Sequence, residues 1–309
     1  GLIGPILGPI LGGWLVIHAS WHWIFLINIP IGALGILASR SVMSNIKGEV
    51  EKLDWTGFLL FALGLVGITL GLDLLGESQH SVITTYSVLV VGVLLLVAYC
   101  SYAKNNDDAI LPLSLFRTHT FRLGIIANIF IRLSASGVPF LLPLMFQLSF
   151  GYSAEMSGWL LAPIALISVI LKILIGRILN RWGYKTTLIS SALLMAGSVI
   201  SMAWLGKQSS LTWIICNLMW YGACMSIIFT SINTLTVGDL SKQQAGTGST
   251  VLSIVQQVGI GFGIAISSII LNFYRHFFSA NDGLQQAFSY TFLTSSLFAI
   301  ALVWSLMKL

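Results

Sequence analysis

Ten stretches of the chain are apolar and almost free of charge: residues 1–17, 22–39, 56–76, 82–103, 120–148, 156–176, 187–206, 211–237, 247–273 and 288–307. A helix needs about 20 such residues to cross the hydrocarbon of a bilayer, and each stretch reaches or approaches that length. In lipid each must satisfy its own backbone groups, so each is predicted as a transmembrane helix. Most of the polar segments between them are short, which makes consecutive helices antiparallel neighbours. The longer connections are Arg40–Trp55 and Lys104–His119.

Composition agrees with the pattern. Hydrophobic residues make up 56% of the chain and charged residues 8%, where soluble domains carry about 25% charge. The fold class is an all-α polytopic membrane protein. The formal net charge of +5 is no sign of nucleic-acid binding, because the basic residues sit in loops between apolar segments. With residue 1 on the cytoplasmic side, the inner loops hold Arg40, Lys47, Lys52, Lys104, Arg117, Arg122, Arg177, Arg181, Lys185, Lys242 and Lys308. The outer loops hold only Lys207 and Arg275. This bias predicts that orientation and a cytoplasmic C-terminus.

Within the first segment, Gly4, Gly8 and Gly12 recur every four residues, so they share a helix face that a neighbouring helix can approach closely. Pro5 and Pro9 each remove a backbone donor and favour a kink. The segment starts without Met or a polar lead-in, which reads as part of a longer protein.

Gly4, Gly8, Pro9, Gly12 and Gly13 resemble the antiporter motif in the fifth helix of major facilitator drug:proton antiporters. The run from Trp21 to Pro30, WHWIFLINIP, is similar to the start of that family's sixth helix. Two further apolar segments, 56–76 and 82–103, stand where twelve-helix members have a cytoplasmic loop. This resembles the fourteen-helix antiporters of the EmrB/QacA type, and in detail multidrug exporters of the MdtD type. Leu111 to Arg117, followed by Phe121, is similar to the lead into their seventh helix. Gly176, Arg177, Asn180, Arg181 and Gly183 resemble the cytoplasmic gate loop between the eighth and ninth helices, with Asn180 in place of the usual Asp.

The resemblance implies ten helices present of fourteen, the first four missing. It implies residues 1–39 as the end of an N-terminal bundle, 40–119 as connectors with two inserted helices, and 120–309 as a C-terminal six-helix bundle. It further implies proton-coupled export of drugs or small amphipathic or organic-anion compounds across a bacterial inner membrane. Accessory periplasmic or outer-membrane components are implied as partners beside the bilayer, the small-molecule substrate and protons. The proton-titrating residues are expected in the missing helices. A membrane sensor on the same fold and an uncoupled uniporter are the alternatives.

Arg132 is the sharpest candidate for a substrate residue. It lies deep in 120–148, where an unpaired charge costs on the order of 2.5–3.5 kcal/mol on insertion scales, so it should face protein or water. Asn128 and Ser136 lie one turn to either side. The stripe reads as a cavity wall that meets an anionic group or a carboxylate. A cap on helix-end carbonyls or a snorkelling residue is the other reading. Asn217 and Tyr221 share a face of 211–237, with Thr230, Ser231, Asn233 and Thr234 toward its inner end. Ser249, Ser253, Gln256 and Gln257 form a band in 247–273. These groups can bind substrate or join helices. Lys172 reads as a residue whose stem snorkels to the interface, although with Arg132 it enriches this half in positive charge.

Other residues read as structural. Gly259, Gly261 and Gly263 suggest close packing or bending inside an apolar span rather than a nucleotide loop. His18 and His22 flank a turn among Trp21 and Trp23, as aromatic-belt anchors. Asp73 reads as interfacial, and Asp239 closes its helix. Cys100, Cys216 and Cys224 read as buried free thiols. No paired carboxylates or nucleophile–base set stands at a plausible site, so no enzyme, metal or cofactor is expected.

Overall fold

The computed structural model describes residues 3–42, 54–76, 81–104, 106, 113–278 and 283–307. Lys47, Lys52, Leu111, Pro112 and Lys308 lie outside the described residues, as do the side chains of Gly4, Pro5, Pro9, Arg40, Asp73 and Lys242. The described residues form helices and turns, without a strand. The helices are α1 (Ile3–His18), α2 (Trp23–Leu26), α3 (Asn28–Val42), α4 (Trp55–Gly76), α5 (Val82–Lys104), α6 (His119–Ala135) and α7 (Val138–Leu144). After a π turn at Met145–Ser149 come α8 (Ala154–Trp182), α9 (Tyr184–Met202), α10 (Leu211–Gly238), α11 (Lys242–Phe277) and α12 (Gly283–Met307).

Eight helical spans are long and apolar enough to cross a membrane among the described residues, α6, α7 and the π turn counting as one. The two remaining expected spans are shorter. Helix α1 has 16 residues, about 24 Å at 1.5 Å per residue. The span at 22–39 is interrupted at Ile27 between α2 and α3.

Helix starts follow local chemistry. Ser153, Ser210 and Ser241 adopt extended backbone angles and accept hydrogen bonds from the amides of Met156, Trp213 and Gln244, capping α8, α10 and α11. Gly183, at φ 75°, is the single residue between α8 and α9, and a side chain there would be strained. This corrects the expected gate loop. Gly176, Arg177, Asn180 and Arg181 belong to the last turns of α8, because apolar periodicity continues through Ile178 and Leu179 to Trp182.

One core unites α6 to α12. Ile131, Leu141, Phe146, Met195, Val199, Leu218, Tyr221, Phe288 and Phe292 are fully buried within it. Helix α6 is central and packs on α10, α11 and α12, while α8 packs on α10 and α9 on α12. Helices α4 and α5 form a tight pair. A Cβ on Gly67 would stand 2.9 Å from Gly92 Cα, so small residues let the two backbones meet. This pair packs on α11 through α4. Its other end joins a second core, where Tyr99, Ala103, Leu115, Phe121 and Val251 are buried together.

The helix ends sort into two levels. Thr120, Tyr184, Lys185, Leu235 and Leu306 surround one small cavity at one end. Leu148, Ser149, Trp204, Lys207 and Gln285 surround a larger one, about 700 Å³, at the opposite end. Most outward faces between these levels are apolar, as lipid requires. Cys100 and Cys216 lie on exposed faces and only Cys224 is buried, which corrects the expectation for the first two. Trp14 stacks on His18 and Trp21 on His22, with centroids 4.9 and 3.8 Å apart.

Candidate functional site

The site begins at a break in what the sequence reads as one helix. Helix α6 ends at Ala135, and α7 starts at Val138 after Ser136 and Gly137. Pro139 has no amide hydrogen, so the Ala135 carbonyl loses its i+4 donor. Tyr221 of α10 replaces it: its hydroxyl donates to that carbonyl at 2.6 Å, from a fully buried position. Tyr221→Phe is therefore expected to leave a buried acceptor unpaired, at about 1–3 kcal/mol. The check is thermal denaturation in detergent, where the midpoint should fall by several degrees. An unchanged midpoint would show that the break holds without this bond.

One turn before the break, Arg132 is half-buried and held from two sides. Its Nη2 donates to Gln256 Oε1 of α11 at 3.0 Å, and its guanidinium lies 4.0 Å from the centroid of the Phe229 ring. An arginine over an aromatic face is attracted by the ring quadrupole. Gln256 passes the connection on, donating from Nε2 to Asn233 Oδ1 of α10 at 3.0 Å. Arg132 Nε is buried without a hydrogen-bond partner among the described residues. Three helices thus meet at one cation.

Helix α11 reaches this point because it presents small residues. A Cβ on Gly259 would stand 2.7 Å from Arg132 Cβ, and one on Gly263 would stand 2.5 Å from the Arg132 carbonyl oxygen. Gly261 points elsewhere, 3.7 Å from Thr69 of α4. The glycines therefore serve close packing, on two faces of α11.

Phe229 and Asn233 also line a cavity of about 440 Å³ between α7, α8 and α10. Its walls are Pro139, Leu161, Ile164, Ala165, Ser168, Val169, Lys172, Tyr221, Met225, Ser226, Phe229, Thr230 and Asn233. The back of the cavity is sealed by direct contact of α8 with α10. Ser168 Oγ lies 2.7 Å from the Ile164 carbonyl and 3.0 Å from that of Gly222, and Ser226 Oγ donates to the Ser168 carbonyl at 2.8 Å. A Cβ on Gly222 would stand 2.5 Å from the Ile164 oxygen.

The structure divides the expected cavity residues. Tyr221 lies on the wall, while Arg132 and Gln256 stand directly behind Phe229 and Asn233. Asn128 does not face the cavity. It is fully buried between α6 and α10, donating to the Gly124 carbonyl at 3.0 Å and to Thr236 Oγ1 at 3.4 Å. Asn217 is buried against Ser201 of α9 and donates to the Trp213 carbonyl. Ser136 sits at the helix break against α11, and Gln257 is exposed away from the cavity. For Asn128 and Asn217 a neighbouring helix takes up the polar group.

Lys172 lines the cavity wall, about 15 Å before the end of α8 at 1.5 Å per residue. The signal was present in the spacing. Leu161, Ala165, Ser168 and Lys172 fall on one face of α8, and Tyr221, Met225, Phe229 and Asn233 on one face of α10.

The glycine motif of α1 also resolves. Helix α1 packs along α8. A Cβ on Gly13 would stand 2.6 Å from the Ala154 carbonyl oxygen, whereas one on Gly8 or Gly12 meets no described atom within 4 Å. Of the expected interface glycines, Gly13 makes the tight contact among the described residues.

The Major Facilitator Superfamily profile matches residues 1–264. The chain belongs to this superfamily. It is 92% identical over 309 residues to HsrA of Haemophilus influenzae, named as a transport protein, covering 100% of this chain and 67% of the relative. It is 35% identical over 302 residues to MdtD of Citrobacter koseri, named as a multidrug resistance protein, covering 96% of this chain and 64% of that one. MdtD of Escherichia coli O9:H4 is 36% identical with the same coverage. The chain spans about two thirds of the length of these relatives. Among solved structures, the nucleoside transporter NupG superposes with a TM-score of 0.55 at 13% identity, covering 98% of this chain and 80% of that one. At that identity the likeness concerns the fold alone.

Proposed function

We propose that this chain forms the larger part of a secondary-active exporter that works by alternating access. The cavity between α7, α8 and α10 carries the reading. It is about 440 Å³, within the size of small-molecule sites, and it lies within the spans of a major facilitator fold. Its walls combine aromatic and aliphatic side chains with Ser168, Ser226, Thr230, Asn233 and Lys172. Such a wall suits an amphipathic compound, and the relatives named for multidrug resistance support the same class.

In this reading residues 120–309 are one rocking bundle, and α1 and α3 belong to the other. The α1–α8 contact at Gly13 is the seam between them. In this reading the end carrying Arg117, Arg122, Arg177, Arg181 and Lys185 faces the cytoplasm, as the positive-inside rule favours, with the C-terminus on that side and the protein in an inner membrane. Inward proton flow drives outward substrate flow. The titrating carboxylates are assigned to residues outside this chain, and accessory efflux components would extend the route outward.

Reconstitution of the complete gene product in proteoliposomes tests the reading. A pH gradient should drive accumulation of an amphipathic fluorescent dye, and the dye should dissipate the gradient. A sensor would do neither, and a uniporter would carry dye without moving protons. In the same assay Arg132→Ala is expected to lower the rate by about tenfold or more, because it releases Phe229, Gln256 and Asn233 together. Hydrogen bonds to a charged group are worth about 1.5–3 kcal/mol. A wild-type rate at normal abundance would remove Arg132 from the working parts.

A further inference from the structure

We propose that the cavity selects organic anions with an aromatic body, and that Lys172 is the residue that meets the negative group. The proposal rests on the cavity being the substrate site, and three observations on the chain carry it.

The first is the charge balance of the wall. Lys172 is the titratable cation on it, and no Asp or Glu is among the described residues that line the cavity. Along the chain no carboxylate occurs between Glu155 and Asp239, the stretch that supplies α8 and α10. A second cation, Arg132, stands behind the Phe229 ring. Two cations with no counter-charge among the described residues around them give the cavity a positive potential, and a ligand anion lowers its energy.

The second is that the two cations are not equivalent. Arg132 is occupied by the ring of Phe229 and the amide of Gln256. It contributes field and positions the wall, but its approach to the cavity is covered by Phe229. Lys172 has no hydrogen-bond or ion-pair partner among the described residues and is exposed to the cavity. Its ammonium is the donor left for a carboxylate, sulfonate or phosphonate.

The third is the placement of apolar surface. Leu161, Ile164, Val169, Met225 and Phe229 form the remainder of the wall, with Asn233 and Thr230 as neutral polar neighbours. An aromatic body fits this surface while its charge reaches Lys172. A lipophilic cation would place its charge against two positive groups.

Two permanently charged probes of one ring system separate the possibilities: naphthalenesulfonate and trimethylnaphthylammonium. Equilibrium dialysis on the complete gene product in detergent should show tighter binding of the sulfonate. Lys172→Gln should weaken it by about tenfold, Lys172→Arg should retain it, and Lys172→Glu should shift preference toward the ammonium. The Lys172→Arg protein controls for folding, together with a monodisperse elution profile for each variant. Equal sulfonate binding by the wild type and Lys172→Gln would overturn the proposal, as would a wild-type preference for the ammonium. That result would assign the counter-charge to a carboxylate from outside these residues. Flux in proteoliposomes keeps the two readings apart. Sulfonate binding through Lys172 without flux overturns the exporter and leaves the anion site. Coupled flux of the ammonium, indifferent to Lys172, overturns the anion site and leaves the exporter.

Discussion

Gly13→Leu is expected to abolish transport. At Gly13 an added Cβ would stand 2.6 Å from the Ala154 carbonyl oxygen and 3.2 Å from both Ala154 C and Glu155 Cα. All three are backbone atoms at the first turn of α8, a turn held by the Ser153 cap. No side chain can rotate aside, so the helices must separate. At Gly8 the same addition meets no described atom within 4 Å. If α1 and α8 form the seam of the rocking bundles, separating them also opens a leak. The comparison requires equal amounts of wild type and variant in proteoliposomes, with dye efflux and passive proton leak measured together. A Gly13→Leu protein with wild-type efflux would show that the contact is dispensable.

Gly263→Ala and Gly261→Ala should differ sharply although each adds one methyl group. The Gly263 methyl would stand 2.5 Å from the Arg132 carbonyl oxygen and 3.0 Å from Ser136 Cβ. It forces α11 away from α6 at the point where Gln256 must reach Arg132. Overpacking of this kind costs about 1–3 kcal/mol. The Gly261 methyl makes an ordinary contact with Thr69, at 3.7 Å. Thermal denaturation in detergent should show a fall of several degrees for Gly263→Ala and little change for Gly261→Ala. Dye efflux should fall with the first and persist with the second. Equal midpoints would mean that α11 shifts freely and that the Arg132–Gln256 bond has slack.

These contrasts show why the site was only partly legible in the sequence. Gly8, Gly12 and Gly13 are equal as letters, and a repeat of four favoured Gly8 and Gly12. Which glycine meets a backbone depends on how α1 rotates against α8, a helix far along the chain. Asn128 and Asn217 lie in the same polar stripes as Arg132 and Tyr221. Thr236 and Ser201 turn the first two into links between helices. The break at Ser136–Gly137 lies inside what reads as one span, and the donor that repairs it comes from Tyr221, 86 positions away.

The chain by itself determined the positions of the apolar spans and the sign of their loops. The reason is that a bilayer forces every span to bond its own backbone, and hydropathy over about 20 residues reports this directly. It also determined the family, through Gly4 to Gly13 and WHWIFLINIP. Tertiary structure alone decided that Lys172 faces a cavity, that Arg132 is bound to Phe229 and Gln256, and that Gly13 is the tight contact of α1. In a membrane the same polar side chain can line a cavity or join two helices. The choice belongs to the helix packed beside it.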